Sequence, residues 1–427
     1  MDFENMWSER LKSLKGNAIR EIFKLLQNPE IVSFAGGFPT LGLLPQKEIK
    51  EITDDLLTGE GALKILQYGG TEGYTPLLES GLKYASRFGV KGELKNTLVI
   101  SGGQQGIDLM FKAFINPGDR VLVENPTYLA CLHILKTYQG VAVGVDSDDD
   151  GLNIDDLETK IKKHQPKILY IVSDFSNPTG KTLSLEKRKA IASLTAKYGV
   201  VVIEDNPYGE IRFSGEKLPA IKSFDTEGNV VYVTSFSKTI APGLRCGIAV
   251  ADEKIIRKMT IGKQAVDVHT SNLSQAIIDE YLRRGYLEPH LKEIVPVYKT
   301  KKDAMQNAIE EYMPLDKIKF TNPEGGLFIW GEFKDKSADL DKCFVDCVTK
   351  TSTAYVAGSS FFADEGINHC LRFNYSNATV EQITQIPLCT IQVRLRIHRA
   401  GTDIQIHHPQ KHLTTQEHPE KYPGNRR

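Results

Sequence analysis

Between residues 97 and 250 the chain alternates short aliphatic and β-branched runs with amphipathic stretches. Six runs stand out: Thr97-Leu98-Val99-Ile100, Arg120-Val121-Leu122-Val123, Lys167-Ile168-Leu169-Tyr170-Ile171-Val172, Gly199-Val200-Val201-Val202-Ile203, Asn229-Val230-Val231-Tyr232-Val233 and Gly247-Ile248-Ala249-Val250. Each is continuously apolar instead of alternating, as expected of strands buried on both faces of a mainly parallel sheet. Helical stretches lie between them, so the pattern predicts an α/β fold. Ligands of such sheets bind beyond the carboxyl ends of the strands. The polar residues that follow each run are therefore the candidate site.

Outside this block the pattern is helical at first. Residues 1–30 predict one or two amphipathic helices, with apolar positions of residues 18–26 recurring at helical intervals. Gly36-Gly37 follow a short extended run; they either let backbone approach a ligand or form a tight turn. Tyr68 sits in a glycine-rich loop that enters a helix, with Thr75 predicted as its N-cap and Pro76 at the first helical position. Residues 251–310 are helical in pattern and include a long connecting helix. Gly325-Gly326 then precede an apolar strand, and Cys370-Leu371-Arg372-Phe373-Asn374 alternates like another strand, with Arg372 on one face.

Composition narrows the class. A chain of 427 residues suggests two or three domains. Lys+Arg (53) balance Asp+Glu (54), which gives no general attraction to nucleic acid or an anionic membrane. No run is long enough to span a bilayer, and the charged first residues contain no signal-peptide core. The six cysteines include no Cys-x-x-Cys, so reduced thiols and a cytoplasmic location are expected. Cys343 and Cys347, at helical spacing, predict a shared apolar face in preference to a metal site.

The chemistry gathers at the strand ends. Ser235-Phe236-Ser237-Lys238 follows the fifth run, and Arg245 lies past a Pro-Gly turn. An amine beside hydroxyls and a guanidinium suits a phosphorylated aldehyde: the amine forms a Schiff base, the others hold the phosphate. A lone lysine after a strand can equally be a solvated surface residue, so the other parts matter. Gly103 and Gln104 lie in the glycine-rich stretch 101–106, just ahead of a helix predicted from Ile107; backbone N–H groups at a helix start can bind phosphate, and glycine allows close approach. Tyr128 can stack on an aromatic ring or pack as a loop aromatic. Asn177 lies in an Asn-Pro-Thr-Gly turn and can donate to a phenolic oxygen, as can Tyr208. Asp205 is either a helix cap or the carboxylate partner of a pyridinium nitrogen.

In order and spacing these segments resemble the fold-type I enzymes dependent on pyridoxal 5'-phosphate (PLP), and among them the class I/II aminotransferases. The turn at Gly36-Gly37 resembles that of the 2-aminoadipate/kynurenine aminotransferase subgroup. The resemblance covers roughly residues 15–380 and implies a large domain with a seven-stranded sheet plus a small α+β domain built from both termini. The expected divisions are 1–40 (N-terminal helices and substrate-side turn), 41–290 (PLP-binding domain), 291–385 (small domain) and 386–427 (an atypical, poorly ordered tail). It implies catalytic roles for Lys238, Asp205 and Tyr208. Gly103, Gln104, Tyr128, Asn177, Ser235, Ser237 and Arg245 would bind the cofactor, with Tyr68 reaching the phosphate of a neighbouring subunit in a homodimer. Arg372 would clamp the substrate α-carboxylate, with Asn177, Gly37 and, for a distal carboxylate, Arg20 nearby. The implied reaction moves an amino group from an amino acid to a 2-oxo acid; a lyase, racemase or decarboxylase of the same fold, or a non-enzymatic PLP module, is the alternative. Past about residue 383 the family pattern stops. The tail holds five of the ten histidines without metal-ligand spacing.

Overall fold

The computed structural model describes residues 1, 3–12, 14 and 31–385. The apolar runs form one seven-stranded sheet: β1 (Thr97–Ile100), β2 (Arg120–Glu124), β3 (Val141–Val145), β4 (Ile168–Val172), β5 (Val201–Asp205), β6 (Val230–Ser235) and β7 (Gly247–Val250). Their order is β1-β7-β6-β5-β4-β2-β3. Only β7 runs antiparallel to its neighbours, so the sheet is mainly parallel. Continuous hydrophobicity has the expected cause. Val121, Val123, Ile168, Tyr170, Ile203, Val231 and Val233 join the core on one face. Their neighbours Leu122, Leu169, Ile171, Val202 and Val230 join a second core on the other.

The edge strand β3 is not among the six runs. Its first three residues are not fully buried, and Val141, Val143 and Val145 alternate with small residues. A period-two pattern marks this strand; a search for continuous apolar runs passes over it.

Helix α1 (Gly103–Phe114) starts four residues ahead of the predicted Ile107, so Gly103 and Gly106 lie in its first turn. Gly102 caps it with φ +83°, a backbone angle that favours glycine. The helix after the Tyr68 loop begins at Thr75 itself, with Tyr74 in the cap position and no side-chain cap, one residue earlier than predicted.

The long helix α2 (Leu287–Tyr312) leads to an antiparallel sheet of β8 (Ile318–Phe320), β9 (Phe328–Phe333), β10 (Val356–Ala357) and β11 (Cys370–Asn374), ordered β8-β9-β11-β10. Met305, Ile309, Ile329, Leu371 and Phe373 make its core, and Phe34 joins them from far away in sequence. Val32–Ser33 pairs in parallel with Thr353–Ala354, which fixes the segment entering the Gly36-Gly37 turn beside this sheet. Helix α3 (Leu340–Thr351) carries Cys343 and Cys347, both buried with sulfurs 3.9 Å apart, on the apolar face that their spacing predicted. Near the N-terminus one exposed helical turn, Glu9–Lys12, is described. Residues 15–30, Arg20 among them, and the histidine-rich tail 386–427 lie outside the described residues. Among those described, no helix is long and apolar enough to cross a membrane.

Candidate active site

The last residues of β4, β5 and β6 are Val172, Asp205 and Ser235, and all three line one cavity of about 430 Å³. The start of α1 adds Gly103 and Gln104, and the connection after β2 adds Tyr128. Ser237, Lys238 and Arg245 close the side below β6. The turn at Ala35, Gly36, Gly37 and Phe38 faces them, with Phe328 of β9 and Arg372 of β11 behind it. Asn177 and Tyr208 complete the wall. Tyr68 stands apart from this set: the residue is 82% exposed, its ring edge-on to His269 at 5.9 Å.

Lys238 Nζ donates to the Gly37 carbonyl at 2.7 Å, which ties the amine to the opposite wall. A Cβ on Gly37 would come within 2.9 Å of the Phe328 ring, so glycine lets this turn close on the cavity. Ser235 Oγ donates to Ser237 Oγ at 2.8 Å, both hydroxyls being buried. The Arg245 guanidinium lies over Gly102, where a Cβ would meet Nη2 at 2.7 Å. It therefore sits beside the free N–H groups at the start of α1.

Arg372 is almost wholly buried. It donates to Asn177 Oδ1 at 2.7 Å and to the Ala35 carbonyl. Its guanidinium carbon lies 4.4 Å from the Phe328 ring centre and 5.0 Å from that of Phe361. Aromatic faces hold a guanidinium in place without occupying its donors, and Nε has no partner. Phe328 also meets Tyr208 edge-to-face at 5.7 Å.

Asp205 accepts from the Tyr170 hydroxyl at 2.9 Å through Oδ2, while Oδ1 is buried without any partner. It caps no helix. Burial pushes its carboxyl up to about 7, against the Tyr170 hydrogen bond that lowers it. An unpaired buried carboxylate is unfavourable unless a cation meets it. Burial, with Arg245 and Arg372 adding to it, pulls Lys238 down to about 8. Burial likewise lowers Arg372 to about 10 and raises Tyr128 to about 12.

Three cations and one carboxylate thus line one cavity, a balance suited to an anionic ligand with one cationic point. The open oxygen of Asp205 fits a protonated pyridine nitrogen. The α1 start with Arg245 and two serines fits a phosphate. Lys238, with its lowered pKa, fits an aldehyde. The sequence reading missed the groups that support these: Tyr170 under Asp205, and the Ala35 carbonyl, Phe328 and Phe361 around Arg372. None stands in a motif, although Tyr170 was visible as the polar-tipped member of an otherwise aliphatic run. Elsewhere, Glu332, His369 and Cys370 approach within 4.8 Å of one another. The Lys336 ammonium already bonds Glu332 and lies 3.0 Å from His369 Nε2, so a cation holds that place.

A family model described as aminotransferase class I and II matches residues 35–386. The chain belongs to this family; it is a PLP-dependent aminotransferase of fold type I, acting on amino acids and 2-oxo acids. More particularly, its relatives lie in the 2-aminoadipate/kynurenine subgroup. It is 39% identical over 392 residues to aromatic-amino-acid aminotransferase 1 of Thermococcus litoralis, covering 90% of this chain and 93% of that one. It is 34% identical over 386 residues to 2-aminoadipate transaminase of Thermus thermophilus, covering 89% and 95%. The crystal structure of Pyrococcus horikoshii kynurenine aminotransferase superposes with a TM-score of 0.88 at 37% identity, covering 93% of this chain and 98% of that one.

Proposed function

We propose that the enzyme moves the α-amino group of 2-aminoadipate, glutamate or an aromatic or aliphatic amino acid to a 2-oxo acid such as 2-oxoglutarate, and that it does so with the residues of this cavity. The observation that carries the reading is the convergence of Lys238, Asp205, Arg372 and the start of α1 on one cavity. Bound there, PLP supplies an aldehyde and an electron-withdrawing ring. Lys238 Nζ would hold the aldehyde carbon, Asp205 Oδ1 the ring nitrogen with its proton, and Asn177 and Tyr208 the phenolic oxygen. Tyr128 would lie against the ring. Backbone N–H groups of Gly103 and Gln104, with Ser235, Ser237 and Arg245, would hold the phosphate.

Arg372, planar and pinned by Asn177, presents a free edge to the substrate α-carboxylate. The Gly37 turn covers the substrate and excludes water. With PLP held there, Lys238 Nζ would be placed to take the proton from the substrate Cα and pass it on, a role helped by burial and by Arg245 and Arg372, which lower its pKa to about 8. The aromatic and aliphatic walls at Phe38, Leu129 and Phe328 receive the substrate side chain. Arg20, outside the described residues, is proposed to read a distal carboxylate. The exposed Tyr68 supports a homodimer in which it reaches the phosphate of a second copy. We divide the chain at 41–290 for the PLP domain and 291–385 for the small domain, residues 1–40 completing the latter, and place the enzyme in the cytoplasm.

A panel of L-amino acids tests this. Keto acid should form beyond one equivalent per enzyme site only with 2-oxoglutarate present, and then with matching glutamate. Arg20→Ala should raise KM for dicarboxylic substrates alone. Product beyond one equivalent per enzyme site without any 2-oxo acid would overturn the reading.

A further inference from the structure

The helix Glu253–Gln264 exposes Lys254 and Lys258, but the side chain of Lys263 is wholly buried. It does not line the cavity. Its ammonium donates to Gln105 Oε1 at 2.7 Å, to the Asp267 carboxylate at 3.0 Å and to Thr270 Oγ1 at 3.0 Å. Burying a charge this completely is costly unless every donor is met, and here all three are.

The acceptors lead to the cavity. Gln105 Oε1 also accepts the Ser101 backbone N–H at 2.8 Å, and Gln105 Nε2 donates to Asp267 at 2.7 Å. Ser101 Oγ donates to the same carboxylate at 3.0 Å, and the Ser101 carbonyl accepts from Arg245 Nη2 at 3.3 Å. Every polar group of Ser101 is thereby held. Ser101 directly precedes the left-handed Gly102 and the first N–H groups of α1. The network reaches the Tyr68 loop as well: Gln275 bridges the Thr270 carbonyl and the Tyr74 N–H, each at 2.7 Å.

We propose that Lys263 is a positioning residue for the phosphate end of the cofactor, acting through Gln105 and Asp267 to fix the turn at residues 101–103 against Arg245. It touches no reacting atom. This rests on the phosphate assignment made above, and the same measurement separates the two.

The full chain, stripped of cofactor, is titrated with PLP and with pyridoxal, which lacks the phosphate, following the visible absorbance of the Lys238 adduct. Lys263→Met should weaken PLP about tenfold or more, and pyridoxal by less than about twofold, since the lost bonds involve a charged group at the phosphate end only. A core ion pair without this role would lower thermal stability and weaken both vitamers alike, or neither; either result overturns the proposal. Should Lys263→Met fail to fold, Gln105→Met removes the shared acceptor at similar volume and is held to the same outcomes. Arg245→Ala is the reference. If it too shows no phosphate-selective loss, the phosphate assignment itself fails; if it shows one and Lys263→Met does not, only the role of Lys263 falls.

Discussion

Asp174 and Asp205 are both buried carboxylates at the same end of the large sheet, one two residues past β4 and the other closing β5. Asp174 is surrounded. Arg188 donates to both of its oxygens, at 2.9 and 3.3 Å, Arg212 adds a bond at 3.2 Å and Asn206 one at 3.0 Å. Asp205 has Tyr170 on one oxygen and nothing on the other. The same difference separates Arg188, all of whose nitrogens have acceptors, from Arg372, which keeps Nε free. Asp174 is thus neutralised where it stands, even though Arg212 Nε beside it has no partner, whereas Asp205 Oδ1 and Arg372 Nε are left open at the cavity, as their proposed roles toward a ligand require. The two clusters should therefore fail in opposite ways when altered.

The sharpest break of this contrast is at Lys238. Lys238→Ala should cut transamination by at least about 10⁴-fold, losing both the cofactor attachment and the proton carrier; steady-state keto-acid formation measures it, and substantial residual turnover would contradict the assignment. Next is Arg188→Met, expected to cost about 3 kcal/mol in urea unfolding because it removes two of the four bonds to a buried carboxylate and leaves it only Arg212 and Asn206, while folded enzyme keeps its turnover. Asp205→Asn should do the reverse. It leaves unfolding nearly unchanged, since the amide oxygen still accepts from Tyr170, and lowers kcat/KM by about 10²-fold or more. Equal stability losses in these two variants would erase the distinction. The smallest effect concerns pH. Below about 8 the Lys238 amine holds a proton and lacks a free lone pair; above it the lone pair is available. Capture of PLP by the cofactor-free enzyme should climb about tenfold per pH unit up to that point and then level off. A climb continuing toward the ordinary lysine range would show that burial does not depress this amine.

Much of the molecule was legible in its sequence because local chemistry and global position coincide in a parallel sheet. Six apolar runs gave six strands; residues following the carboxyl ends of the five parallel ones met in one cavity, as the geometry of such sheets requires, while the antiparallel β7 brings Arg245 there from ahead of its amino end. What stayed hidden was long-range. Arg188 sits in Leu185-Glu186-Lys187-Arg188-Lys189, a pattern indistinguishable from a solvated face, yet it is fully buried. Lys263 looks like its exposed neighbours on the same helix. The Ala35 carbonyl that steadies Arg372 comes from 337 residues away, and a backbone acceptor leaves no mark in residue type. The edge strand β3 was missed because half-buried strands alternate, while fully buried ones do not.

The position of β7 bears on how the enzyme is made. Strand β1 pairs with β7 alone, and β7 leaves the ribosome about 150 residues later. A growing polypeptide therefore carries β1 with an open edge while about 150 of its 427 residues are added, the interval in which chaperones and premature aggregation compete for it. Because Arg245 arrives just ahead of β7, vitamin B6 supply can rescue or stabilise only chains already synthesised past that point.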